Sequence, residues 1–262
     1  MIPNFKNIFL FIVILYLLFA VYAYFFTDAV IYAPRVSSYK DSSEIIKLRT
    51  KDGALISAIY LPNPQATYTF LISHGNAENI EYVLPFIKMF NQHGFSVFTY
   101  DYHGYGTSTG KPTEKNVYND IDAAYDYLTQ NLKIPPSKII VFGHSIGAAV
   151  NIELALHKKI AGLILQGAFL TAERIVTQAQ IFPFAKYNNL KKISGISVPI
   201  LFIHGTNDEV IPFWHGKKLY DRATTLNKQY LWVPGAHHND LPEIAGDTYW
   251  QAIYKFTNGL KK

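Results

Sequence analysis

The hydrophobic pattern divides the chain into two unlike parts. Residues 8–26, IFLFIVILYLLFAVYAYFF, form 19 positions without a charge. A helix of that length spans about 28 Å, close to the thickness of a bilayer core. Lys6 precedes the run and Asp28 ends it, and Tyr22, Tyr24, Phe25 and Phe26 gather at its far end as an interfacial aromatic belt does. A buried helix of a soluble protein rarely stays apolar on every face for so long. The stretch AVYAY offers Val21 and Ala23 at the −3 and −1 positions of a cleavage site, but the apolar run continues past Ala23. An uncleaved signal anchor is therefore preferred to a cleaved signal peptide.

After Pro34 the pattern becomes that of a folded domain. EIIKLRT (44–50) and ALISAIY (54–60) are β-rich runs joined by the turn Lys51-Asp52-Gly53. Six short apolar runs follow and read as buried strands: 68–73, 95–100, 138–142, 162–166, 199–203 and 229–233. Helical spacing lies between them, as in Val117 to Leu132 with Ile121, Ala124, Tyr125 and Leu128 on one face. An antiparallel hairpin followed by strand–helix alternation predicts an α/β fold, a mostly parallel sheet with helices on both faces. No repeat or low-complexity linker interrupts it. The expected organisation is an N-terminal membrane anchor over residues 1–30 and one catalytic domain over 31–262.

Composition narrows the chemistry. The 49% hydrophobic content suffices for one large core, and the net charge of +5 is scattered. No run of five basic residues occurs, so no nucleic-acid partner is expected, although a basic surface suits anionic lipid. The absence of cysteine excludes a disulfide framework, a thiol nucleophile and thiolate-bound zinc.

In parallel sheets the chemistry gathers in loops at the carboxyl ends of strands. One such loop is Gly143-His144-Ser145-Ile146-Gly147, between the strand 138–142 and a helix that starts Ala148-Ala149. Gly-x-Ser-x-Gly between strand and helix lifts a serine hydroxyl clear of the backbone, and the helix N-terminus favours a developing oxyanion. Ser145 is the expected nucleophile. It needs a base, and the base needs an orienting acid. Asp208, in His204-Gly205-Thr206-Asn207-Asp208-Glu209 after the strand 199–203, is the expected acid, with Glu209 as its rival. The base is a histidine of Pro234-Gly235-Ala236-His237-His238-Asn239-Asp240. A metal site on His237, His238 and Asp240 is disfavoured, because adjacent histidines diverge and no His-x-x-x-His pair is present. The oxyanion hole is expected from the N–H groups of Asn76 and Ile146, with Ala77 as the alternative to Asn76. His74, His144 and His204 are read as supports for loops.

IYAPR (31–35), HGNAEN, YDYHGYGTSTG (100–110), GHSIGAA, HGTNDEVIP and GAHHND together resemble the α/β-hydrolase superfamily. The resemblance is to its single-pass membrane-anchored serine hydrolases, similar to the depalmitoylating α/β-hydrolase-domain proteins and their bacterial relatives. It runs from residue 31 to 240. It implies a Ser145–Asp208–His238 triad, an acyl-enzyme intermediate and neither a metal nor an organic cofactor. The family pattern Gly-x-Gly-His-x-Asp aligns His238 with the base and leaves His237 in place of a glycine. It implies that Asp101 holds the backbone of the 100–110 loop, and that His103, where the subgroup often has Arg, reduces any charge at that position. The cap falls in residues 170–197; it is short, so an open pocket is expected. Ile181, Phe182, Pro183 and Phe184 either line an acyl site or pack on the sheet.

The expected function is hydrolysis of carboxylic esters or thioesters of a small-molecule or lipid-like acyl substrate, or of an acylated protein. The expected protein is a monomer, held by residues 8–26 with its domain on the outer or periplasmic side. Lys6 and the free amine favour an inside N-terminus, which Arg35 and Lys40 oppose. Peptidase activity of the same fold and a non-catalytic membrane-bound interaction protein are the alternatives.

Overall fold

The computed structural model describes residues 5–260. Helix α1 (Phe5–Ile31) comes first, and among its residues only Ala20 is buried. The hairpin β1 (Ile46–Arg49) and β2 (Leu55–Leu61) turns at Gly53, whose φ of +90° suits glycine. Then follow β3 (Thr69–Ser73), α2 (Ile80–Gln92), β4 (Ser96–Tyr100), α3 (Glu114–Asp126), β5 (Ile139–His144) and α4 (Ile146–His157). The second half adds β6 (Gly162–Gln166), α5 (Ala172–Thr177), α6 (Asn189–Lys192), β7 (Ile200–Gly205), α7 (Trp214–Arg222), β8 (Lys228–Val233), α8 (Leu241–Ala245) and α9 (Asp247–Gly259).

The strands form one sheet in the order β1-β2-β4-β3-β5-β6-β7-β8. β2 is antiparallel to both β1 and β4, and all later pairings are parallel. Alternate strand residues feed two cores. Leu71, Phe98, Val141 and Leu165 pack with Val117 and Ile121 of α3 and with α4. Phe70, Ile72, Phe142 and Ile203 pack under Ile87 and Phe90 of α2 and Ile253 and Phe256 of α9. This is the mostly parallel α/β sheet expected from the pattern, in the arrangement that the resemblance implies.

Two elements depart from expectation. Helix α3 starts at Glu114, because Thr113 accepts the Asn116 N–H at 3.1 Å as an N-cap, and it loosens into a π-turn over Tyr127–Asn131 before Leu132. Strand β8 is not a buried strand. It is the sheet edge, buried only at Val233, and Tyr230 and Trp232 stack at 5.0 Å along its half-exposed side. Aromatic side chains imitate a core pattern at an edge where they cover each other instead.

Candidate active site

The turn between β5 and α4 is dictated by its glycines. A Cβ on Gly143 would collide with the backbone of Gly147, and one on Gly147 with the Ser73 carbonyl. The strand and helix therefore meet at van der Waals distance, and Ser145 between them takes φ 55°, ψ −117°. For a non-glycine residue this conformation costs about 1–3 kcal/mol, held here by the Ser145 N–H donating to the Gln166 carbonyl at 2.9 Å. Ile146 is the first residue of α4, where the helical ladder supplies no acceptor for its N–H.

Asp208 follows β7 and is buried. Its Oδ1 accepts the N–H groups of Val210 and Ile211 at 3.0 and 2.7 Å, and its Oδ2 lies 2.8 Å from His238 Nδ1 and 3.2 Å from His204 Nε2. Burial favours the neutral acid, but the bonds from His204, His238 and the Ile211 N–H prevail and hold the carboxyl well below the usual range. Glu209, the rival acid, is exposed and lies 3.0 Å from His237 Nδ1.

The two neighbouring histidines thus have different partners. Gly235 turns at φ +76°, Ala236 is buried, and the His237 N–H donates to Asp240 Oδ1 at 2.7 Å. His238 then points inward, only 4% exposed, while His237 stays at the surface. They do not converge, and no three potential ligand side chains meet as a metal site among the described residues.

Around this pair stand the histidine supports expected from the sequence, and one glycine that the sequence did not reveal. Gly167, after β6, has φ +57°, and a Cβ there would lie 3.0 Å from His238 Cε1. Its signal was a glycine directly after the strand 162–166, a position to which strand spacing alone gives no role. The His144 ring lies 4.8 Å from that of His238, with Nε2 3.2 Å from Asn239 Oδ1. Desolvation, with the charge of His238 beside it, pushes His144 down to about 4. His204 donates from Nε2 to the Ile211 carbonyl at 2.8 Å, and His74 lies buried with Nδ1 at 2.7 Å from the Gly75 carbonyl. Asp101 accepts the Ile80 N–H at 2.7 Å and a hydrogen bond from Tyr39, anchoring the 100–110 loop. His103 sits between Asp120 at 2.5 Å and Asp52 at 3.1 Å. Burial opposes its charged form, but the two carboxylates raise its pKa, so the expected loss of charge there is offset.

Asn76 is tied in place by its side chain. Its Nδ2 donates to the Ile31 carbonyl at 2.6 Å, and its Oδ1 accepts from Tyr105 at 2.6 Å, Ala33 N–H at 3.1 Å and Ala77 N–H at 3.0 Å. The last bond engages the N–H of Ala77, which favours Asn76 over Ala77 as a free donor.

Asn76, Ser145 and Ile146 line one cavity of about 570 Å³. Its walls include Ile181 and Phe182 from the cap and Phe19, Tyr22, Ala23 and Phe26 from α1. The pocket expected to be open behind a short cap is therefore walled on one side by the N-terminal helix. Phe182 packs on Phe19 and Phe184 on Tyr24, so these cap residues rest on α1 and not on the sheet. A cleft of about 450 Å³ and mixed character adjoins it, with Arg35, Asn76, Glu78 and His144 beside Val83, Phe86 and Met89 in its lining.

A family model described as serine aminopeptidase, S33 matches residues 64–190, and one described as the prolyl oligopeptidase family matches 169–258. Human α/β-hydrolase domain-containing protein 17B is 38% identical over 226 residues, covering 85% of this chain and 77% of the relative. The Xenopus tropicalis protein of the same name is 40% identical over 224 residues, covering 84% and 77%. An esterase of Pyrococcus furiosus has the same fold, with a TM-score of 0.73 at 20% identity over 87% of this chain and 98% of that one. A Paleococcus ferrophilus monoacylglycerol lipase gives 0.61 at 19% identity over 79% and 99%. The chain belongs to the α/β-hydrolase superfamily as a relative of α/β-hydrolase domain-containing protein 17, and it is a serine hydrolase of the esterase type.

Proposed function

We propose that this chain is a membrane-anchored serine hydrolase that cleaves carboxylic esters or thioesters of apolar acyl chains, with Ser145, His238 and Asp208 as its triad. The observation that carries the reading is Ser145 held at positive φ at the head of α4, on the wall of a mainly apolar cavity. Ser145 Oγ attacks the acyl carbonyl. Asp208 engages His238 Nδ1, which leaves Nε2 as the basic nitrogen that takes the serine proton. The N–H groups of Asn76 and Ile146 hold the oxyanion, a role whose loss costs about 10²–10³ in rate per donor. His238 returns the proton to the leaving alcohol or thiol, and water then cleaves the acyl-enzyme by the same route. The acyl chain takes the apolar cavity and the leaving group the mixed cleft beside it.

Residues 1–30 serve as the anchor and 31–262 as the catalytic domain, on the outer side of the membrane. The apolar, exposed surface of α1 supports the anchor. A fluorophosphonate probe tests the chemistry: wild type labels and Ser145→Ala does not. Absence of label on wild type would favour a non-catalytic interaction protein. The peptidase names of the matching families favour amides as a second class, and a panel of matched ester, thioester and amide substrates decides between them. Protein that stays with membranes through alkaline carbonate, with its N-terminus intact, supports an uncleaved anchor; release into solution removes it.

A further inference from the structure

We infer that the cap loop 178–186 and the C-terminal half of α1 enter one membrane leaflet together, so that the cavity beside Ser145 receives the acyl chain of a membrane-embedded substrate directly from the lipid. This rests on the reading of Ser145 as nucleophile and of α1 as a bilayer helix.

The loop runs along the helix in order. Tyr16 donates to the Ile181 carbonyl at 2.8 Å, the rings of Phe19 and Phe182 lie 5.7 Å apart, and those of Tyr24 and Phe184 lie 5.3 Å apart. Lys186 pairs with Asp28 at 3.2 Å. Tyr16 precedes Phe26, the last residue of the uncharged run, by ten residues, about 15 Å of helix. A helix that crosses the hydrocarbon with that run therefore carries residues 181 and 182 into it. The Lys186–Asp28 pair falls at the other end of the loop, at headgroup level.

The loop is equipped for that place. Residues 175–185, IVTQAQIFPFA, hold no charge and are bracketed by Arg174 and Lys186. Val176 is 80% exposed and Ile181 48%. Irregular backbone survives at membrane depth only where its polar groups find partners in the protein. Here Thr177 Oγ1 donates to the Ala179 carbonyl at 2.6 Å, and Gln180 Nε2 donates to the carbonyls of Phe182 and Phe184 at 2.9 and 3.2 Å. With the Tyr16 bond, four carbonyls of residues 179–184 are answered by side chains. A loop surrounded by water would not need this.

The cavity joins the two parts. Phe19, Ala23 and Phe26 of α1 face Ile181 and Phe182 across it, with Ser145 on the same wall system. The Asn76–Ile31 bond ties the end of α1 to the loop after β3, which fixes the height of Ser145 above the leaflet. An acyl chain can slide from lipid to Ser145 without crossing water, while its polar head stays at the interface.

The chain has no cysteine, so Ile181→Cys and Leu226→Cys each carry a single thiol for an environment-sensitive fluorophore; Leu226 is fully exposed on the loop before β8. In the full chain in phosphatidylcholine vesicles, nitroxides on the lipid acyl chains should quench the label at 181 several-fold more than that at 226. Equal quenching would overturn the inference. Ile181→Lys should lower the rate on a long-chain acyl thioester in the vesicles about tenfold more than the rate on a soluble short-chain ester. Equal loss on both would overturn the lipid route. Fluorophosphonate labelling separates the two readings. Label on Ser145 without quenching at 181 leaves the hydrolase and removes the insertion. Quenching without label keeps the insertion and removes the substrate route along with the hydrolase.

Discussion

Two loops border Ser145, and they are built on different principles. Residues 234–240 are fixed by hydrogen bonds: His238 to Asp208 at 2.8 Å, His237 N–H to Asp240 at 2.7 Å, and Asn207 N–H to the Ala236 carbonyl at 3.0 Å. The cap over 178–186 meets α1 through two ring contacts, Phe182 on Phe19 and Phe184 on Tyr24, while Gln180 spends its amide on the loop's own carbonyls. Directional bonds admit one arrangement, as proton transfer requires. Apolar contacts repack at small cost, as a site for acyl chains of varied length requires. The contrast predicts that damage to the first loop abolishes turnover and damage to the second changes what is turned over.

The largest effects test the first half of that contrast. Ser145→Ala and His238→Ala should each lower kcat/KM by about 10⁴, while His237→Ala, which removes an exposed side chain paired with Glu209, should change it by less than about threefold. If His237→Ala abolishes turnover and His238→Ala spares it, the assignment of the base is wrong by one residue. Asp208→Asn should cost about 10³–10⁴, because the amide no longer fixes the tautomer of His238. Asp208 stays ionised because its carboxyl is held low, and His144, pushed down to about 4, stays neutral between about pH 5 and 8. The acid limb of kcat/KM should therefore be a single-proton step. A two-proton limb would bring a second group into the reaction.

The same division separates what the sequence makes legible from what it hides. Gly143, Ser145 and Gly147 are readable because the elbow they form is local, and each glycine answers a clash within a few residues or with the next strand. The pairing of Asp208 with His238 follows from strand order once the sheet is parallel. The wall that α1 gives to the cavity was not readable. The run 8–26 is apolar on every side, so its composition fits lipid on all faces and carries no mark of the cap on one of them. The edge position of β8 was hidden for a related reason, since Tyr230 and Trp232 look like core residues in a linear pattern. Gly167 gives room to a ring that arrives from more than seventy residues away, which no local spacing encodes.

Smaller effects test the cap. Phe182→Ala widens the cavity and should raise KM for long-chain esters about tenfold while changing kcat little. A chain-length series of p-nitrophenyl esters measures this, and the variant should flatten the preference for long chains. A uniform loss of kcat along the series would mean that Phe182 supports the catalytic loops, and the contrast between the two loops would fail.

The smallest effect lies outside both loops. His103 belongs to the hydrogen-bonded class, held by Asp120 at 2.5 Å and Asp52 at 3.1 Å, yet it forms no part of the cavity walls. The contrast therefore assigns it a role in stability and none in turnover. Its pKa is raised above 6.5 in the folded state, because the two carboxylates outweigh the opposing effect of burial. A raised folded-state pKa means that its stabilisation is fully present below the unfolded value and is lost as pH rises through the folded value. His103→Gln should thus cost about 1–3 kcal/mol in urea unfolding at pH 6, as expected for hydrogen bonds to charged groups. The gap to wild type should narrow toward pH 9, where both side chains are neutral. A gap that is constant or grows with pH would show that His103 acts as a neutral spacer, and that bonding of this loop owes nothing to its charge.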